Sequence, residues 1–265
     1  MISKRTAFTL VAALAAIVAL AASDGAGAAA GRVATDGVSI TAQTRYTPSS
    51  LPRQRFAPIR VQGRLAVGSR GSGLDNPLTR MKVSLAQDRL RLRTAGLGVC
   101  PAQRLAETST AEARRRCAGA LVAGGKVTAG FMPEGGGHLS LSAPLSVFNG
   151  PPEDGSPTIL IHAFAAPLRE TYVVPATLIR GAGGRAGLHF QVDIPEIAGG
   201  RGYLASTSIN VARTWRHRGR PVSYVSARCP NNEMDAHGRF DFAEGTIIAG
   251  VLTDYCAIRR PSRRR

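Results

Sequence analysis

Short runs of alternating apolar and polar residues, each closed by a turn rich in glycine, proline or aspartate, recur along most of this 265-residue chain. A period of two puts every second side chain on one face of a strand. Ile59, Val61, Gly63, Leu65 and Val67 make the first clear case, and a turn segment follows at 68–77. Met81, Val83 and Leu85 alternate again. The five-residue step from Leu85 to Leu90 cannot stay on one face, so a turn or bulge is expected near Gln87 and Asp88. Further strands are expected at 126–132, 138–148, 158–165, 171–180, 187–194, 202–214, 222–228, 239–242 and 247–255. With 30 glycines and 16 prolines to supply the turns, the pattern predicts an all-β fold. The architecture expected is an antiparallel β-sandwich or an open barrel. A single helix interrupts it. Ser109, Thr110, Ala111 and Glu112 form a capping box, so one short helix is expected between Cys100 and Cys117.

The start of the chain has a different character. Lys4 and Arg5 precede an uncharged apolar run at 7–22, and small residues follow through Gly31. This order matches a secretory signal over residues 1–30, with cleavage expected after Ala28 or Ala30. The run is shorter than the roughly 20 apolar residues that span a bilayer. Residues 31–55 are rich in Thr, Ser and Pro and read as a polar leader, although Val38 and Ile40 could open a strand. A β-rich domain is then expected over 56–258 and a basic disordered tail over 259–265. The compartment expected is the cell envelope or the exterior.

Four cysteines follow the signal: Cys100, Cys117, Cys229 and Cys256. An even number in an oxidising compartment argues for two disulfides, and three pairings are open. Cys100 with Cys117 and Cys229 with Cys256 are favoured because both pairs are local and each opens on a Cys-Pro step. Closing the first loop stabilises by about 3 kcal/mol on the chain-entropy model. There is no C-x-x-C spacing and no paired histidine for zinc, so no metal site is expected.

The formal charge is +17, and 31 of the 34 basic residues are arginine. The signal accounts for +1 and the last seven residues for +5, which leaves +11 on the body. A body of that charge is drawn to anionic surfaces, by an attraction that salt screens. Arginine richness also arises from codon usage alone. Trp215 lies among Arg213, Arg216, Arg218 and Arg220, which makes this stretch the candidate basic and aromatic surface. Tyr203 and Tyr224 are the other members of the only aromatic cluster that could serve a sugar, unless they pack in the core.

No catalytic residue is assigned. G-x-S-x-G and H-E-x-x-H are absent, and the glycines around Ser69 and Ser72 are off register for a nucleophile elbow. Asp241 and Glu244 are the carboxylates best placed to line a groove, and Glu153 and Asp154 lie in a turn. His162 sits inside an apolar strand and reads as a structural histidine.

Several stretches together resemble a family of secreted bacterial β-rich proteins to which no activity is assigned. They are Pro77-Leu78-Thr79-Arg80, Gly96-Leu97-Gly98-Val99-Cys100, Ser109-Thr110-Ala111-Glu112-Ala113 and Ala120-Leu121-Val122. Phe148-Asn149-Gly150, Thr158-Ile159-Leu160-Ile161-His162, Ser223-Tyr224-Val225-Ser226-Ala227-Arg228-Cys229-Pro230 and Leu252-Thr253-Asp254-Tyr255-Cys256 complete the set. The resemblance implies export, a β fold and two local cysteine pairs, and it carries no ligand or catalytic residue. The function expected is therefore a non-catalytic exported or envelope-associated protein. Its basic surface would bind an anionic polymer, an acidic polysaccharide or a membrane surface. A secreted hydrolase or lyase on the same scaffold, and a structural domain without ligand, are the alternatives. No cofactor and no specific nucleic-acid binding are expected.

Overall fold

A computed structural model of the protein describes residues 28–85, 88–153, 155–180 and 188–259. Strands β1 (Ala28–Thr35) and β2 (Val38–Thr47) form a hairpin through Asp36 and Gly37, with φ of 46° and 81°. Positive φ at both central residues is what a two-residue hairpin turn requires. Short strands β3 (Ser50–Pro52) and β4 (Ala57–Pro58) precede β5 (Arg60–Ser69), β6 (Leu78–Leu85) and the short β7 (Leu90–Leu92). Helix α1 (Thr110–Arg116) leads into β8 (Leu121–Phe131), β9 (Leu139–Asn149), β10 (Thr158–Ala165), β11 (Glu170–Arg180), β12 (Leu188–Asp193) and β13 (Gly202–Val211). A small hairpin of β14 (Thr214–His217) and β15 (Arg220–Ser223) comes next, then β16 (Val225–Ala227), β17 (Glu233–Phe242), β18 (Ile247–Tyr255) and β19 (Ala257–Arg259).

Twelve of these strands form one sheet in the order β1-β2-β5-β13-β8-β9-β10-β11-β12-β6-β17-β18, and every neighbouring pair is antiparallel. The first and last strands come back together, since a Cβ on Gly250 of β18 would lie 3.2 Å from Val33 Cγ2 of β1. The sheet is a nearly closed barrel, the second of the two architectures expected. Alternation decides which way each side chain points. On β5, Val61, Gly63 and Leu65 face inward while Arg60, Gln62 and Arg64 are exposed. On β5 the inward side chains are apolar and the outward ones polar, the reverse of a strand in a barrel that spans a membrane. Among the described residues, no helix is long and apolar enough to cross one.

Eight strands enclose an interior that side chains can just fill, and a wider barrel needs something more. Here the end where β5 begins is stopped by chain. β16 pairs with β4 and β7, and β19 runs parallel to β3. Leu51, Ile59, Tyr224, Val225, Ala227 and Cys229 pack there against Tyr46 and the ends of the long strands. Among the described residues, the other end has no such stopper. Its β2-β5-β17-β18 half is filled by Phe240, Phe242, Leu65, Leu204 and Ile248.

Several expectations change. Residues 31–55 are no leader: β1, β2 and β3 fall within 28–52, and β1 and β2 belong to the barrel. The inward positions of β1 are Ala29, Gly31 and Val33, too small for the alternation to stand out in the sequence. Arg259 belongs to β19, where its Nη2 donates to Ser50 O at 2.9 Å, so a tail begins no earlier than 260. The break after Leu85 is a change of sheet, because Leu90 to Leu92 pair with β16. The span expected at 202–214 is two strands, β13 and β14. Residues 1–27 and 260–265, the turn at 181–187, Ala86, Gln87 and Asp154 lie outside the described residues.

The helix forms where expected, with Ser109 Oγ accepting from Glu112 N at 3.3 Å. The return arm of the capping box is not made: the Glu112 carboxylate pairs with Arg116, one turn on. The helix covers the outer face of β9 and β10, and Leu105, Ala113 and Ala120 pack there on Phe148 and Leu160 as a second small core.

Candidate functional site

Disulfides join Cys100 to Cys117 and Cys229 to Cys256, the two local pairs. The first ties the ends of the helical excursion together at the barrel flank, where Cys100 N donates to Asn149 O. The second ties the stopper to the end of β18. Two disulfides suit an oxidising compartment.

The candidate basic and aromatic stretch does not form one surface. On β14, Trp215 and Arg216 are consecutive and so face opposite ways. Trp215 packs on the main core, and its Nε1 donates to Ala95 O at 3.3 Å. His217, two residues on, lies against Gly96. Arg216, Arg218 and Arg220 are exposed around the hairpin turn, while Arg213 is half-buried. The aromatic cluster is dispersed as well. Tyr224 is buried in the stopper, and burial pushes its phenol up to about 12. Tyr203 lies at the opposite end of the barrel, against Gly73 and Gly130.

The structure instead gathers cations that are scattered along the sequence. Arg32 of β1, Arg45 of β2, Arg60 and Arg64 of β5 and Lys126 of β8 are all exposed on one wall of the barrel. Register aligns Gln43, Arg64, Ser208 and Lys126 in one row across four strands. With strands about 4.8 Å apart, Arg64 and Lys126 stand roughly 10 Å apart. Strands β1, β2, β5, β13, β8 and β9 contain no aspartate or glutamate. Every strand carboxylate lies on β11, β12, β17 or β18. There Arg80 pairs with Asp193, Arg239 with Asp241 at 2.8 Å, and Arg89 with Asp235 at 3.6 Å. Among the described residues, no carboxylate pairs with the five cations of the basic wall.

The open end holds a cavity of about 150 Å³ that opens to solvent. It sits between the filled half of the barrel and strands β8 to β12. Ala129, Ala143, Ala163 and Ala165 point into it where the opposite half carries Phe and Leu. Tyr172 lines it too, with its hydroxyl bonded to Glu170 and to Ala198 N, so the ring and not the hydroxyl is on offer. A second cavity of about 130 Å³ lies nearby at Gly73, Asn76 and Tyr203. Neither lining contains a histidine or a carboxylate. Among the described residues, no three His, Cys, Asp or Glu side chains gather closely enough to hold a metal ion.

His162 faces outward from β10 but is fully buried under the helical excursion. Its Nε2 lies 3.1 Å from Thr108 O, to which only a protonated nitrogen can donate, while its buried Nδ1 meets no partner. Burial is the main cause pulling its pKa below the usual imidazole value, against the hydrogen bond to Thr108. It is a structural histidine. Tyr46, buried at the closed end, donates to Tyr255 O at 2.7 Å, and burial, then the nearby Asp254 carboxylate, raises its pKa.

No protein-family model matches the chain, and no curated protein or solved structure matches it.

Proposed function

We propose that the protein is a non-catalytic, exported binding domain that holds an extended anionic surface, an envelope polymer or a membrane face, against its basic wall. One observation carries this reading: five exposed cations share a wall whose strands carry no carboxylate, while on the remaining wall Arg80 and Arg239 pair with acids. Chance arginine enrichment would scatter acids and bases together. Unpaired charges about 10 Å apart on rigid strands suit a repeating anion, and their attraction reaches about one Debye length. Export belongs to the same reading. Cleavage after Ala28 leaves β1 nearly whole, whereas cleavage after Ala30 removes three residues that pair with Arg45, Thr44 and Gln43.

The test is co-sedimentation with phosphatidylglycerol vesicles and, separately, retention on polygalacturonate. Each cation near an anionic membrane contributes about 1 kcal/mol, so a triple variant of Arg45→Gln, Arg64→Gln and Lys126→Gln should bind roughly a hundredfold more weakly. Arg80→Gln with Arg239→Gln, on the neutralised wall, should change little. Binding that survives about 1 M salt, or that both sets of variants reduce equally, defeats the proposal.

A further inference from the structure

We infer that the open end of the barrel is a binding site for a small neutral apolar molecule, the size of one aromatic ring or the last carbons of an alkyl chain. Cavity size sets that limit. A dry apolar space of about 150 Å³ takes up a benzene-sized guest in a protein core, and this cavity has that volume. The chemistry of the lining sets the class. Apart from Tyr172, whose hydroxyl is already bonded, the polar side chain that lines it is Thr207. A charged group placed there would lose its water and find no partner, so a head group would have to stay outside.

Position sets the route. Pro167 and Leu168 in the turn after β10, with Pro195 and Ile197 after β12, form the rim. The stopper blocks the far end, so a guest enters and leaves by the mouth alone. Ala28 pairs with Arg45 and Arg259 with Pro52, both at the closed end, a strand's length from the mouth. The space is also built by choice of residue. Ala163 and Ala165 continue the inward row of Ile159 and Ile161 on β10, and Ala143 lies between Leu141 and Leu145 in the row on β9. On β10 the larger side chains lie toward the closed end and alanine toward the mouth.

Titration of the purified protein with N-phenyl-1-naphthylamine, benzene and a series of 1-alkanols tests the site, followed through the methyl resonances of its methionines. Met81 lines the cavity and Met234 packs on the main core near the closed end. The Met81 signal should shift with ligand and the Met234 signal should not. Alkanol affinity should rise about fourfold per methylene until the space is full, and then level off. Affinity for benzene but not for alkanols makes the site a ring site; the reverse makes it a chain site. Ala163→Phe should weaken binding by about tenfold or more by occupying the space itself. Because the ligands are neutral, about 1 M salt should leave affinity intact, which separates this site from the basic wall. A Met81 signal that stays still at saturating ligand overturns the inference. So does a folded Ala163→Phe that binds as before. If that variant fails to fold, the Met81 and Met234 comparison on the unaltered protein decides alone.

Discussion

The two ends of the barrel solve the same problem in opposite ways. A twelve-stranded ring is too wide for its own side chains to fill. At the closed end the chain supplies a stopper of β3, β4, β7, β16 and β19, and a disulfide fixes it to the last long strand. At the open end the described chain supplies little beyond turns, and Ala129, Ala143, Ala163 and Ala165 leave space in the interior. The first arrangement maximises burial, with Leu51 and Cys229 at 0 % exposure. The second leaves packing energy unused. Stability should therefore reside at the closed end and recognition at the open one.

Truncation provides the strongest test of that division. Leu51→Ala removes a fully buried side chain from the stopper and should cost about 3–4 kcal/mol in denaturant unfolding. Leu168→Ala at the rim of the mouth should cost less than about 1 kcal/mol, because its side chain is only half-buried. Equal costs would erase the distinction between the ends. Next in size is the disulfide. Replacing both Cys229 and Cys256 by Ser frees a 27-residue separation and should lower stability by about 3 kcal/mol. Below the unfolding transition it should leave apolar-ligand affinity unchanged, since the staple is at the other end.

The helix flank follows the closed end in relying on complete burial, and pH can read it. The His162 pKa is lowered in the folded state, so the unfolded chain takes up the proton first as pH falls. Stability should therefore be complete above the unfolded imidazole value near 6.5 and decline as pH drops below it, by at most about 1.4 kcal/mol per pH unit. His162→Gln should flatten that part of the profile, which thermal melts across this window would show. The smallest change is at the mouth. Ala163→Leu should raise stability by about 1 kcal/mol, because it fills space that the fold leaves empty. A loss instead would mean that the alanines are tightly packed and the two ends alike.

Local features of this protein are legible in the amino-acid sequence. The strands at 158–165 and 247–255 fall where apolar runs between turns place them, and the α1 cap is set by Ser109 and its neighbours. Both disulfides join cysteines close in sequence, where few conformations compete. Features built from small residues are not legible in that way. β1 hides because its inward positions include Ala and Gly. The cavity hides because an alanine in a strand looks like a weak strand residue and not like the wall of a space. The candidate surface around Trp215 rests on neighbours in sequence, and a period of two sends neighbours to opposite faces. The basic wall does leave a trace, in that Arg60, Gln62 and Arg64 alternate with apolar residues and no acid occurs in β1, β2 or β5.

The sequence by itself determined a β-rich chain with two short-range staples and one capped helix, because periodicity, capping and loop closure all act over a few residues. Tertiary structure decided that β6 lies between β12 and β17, that β1 returns to β18, and that one end is filled while the other is left open. Those outcomes depend on pairing between distant strands, and a strand's own residues specify which face is buried but not which neighbour lies beside it. The same pairing turned an overall positive charge into a wall, by setting Arg45, Arg64 and Lys126 on adjacent or nearby strands and the acids elsewhere.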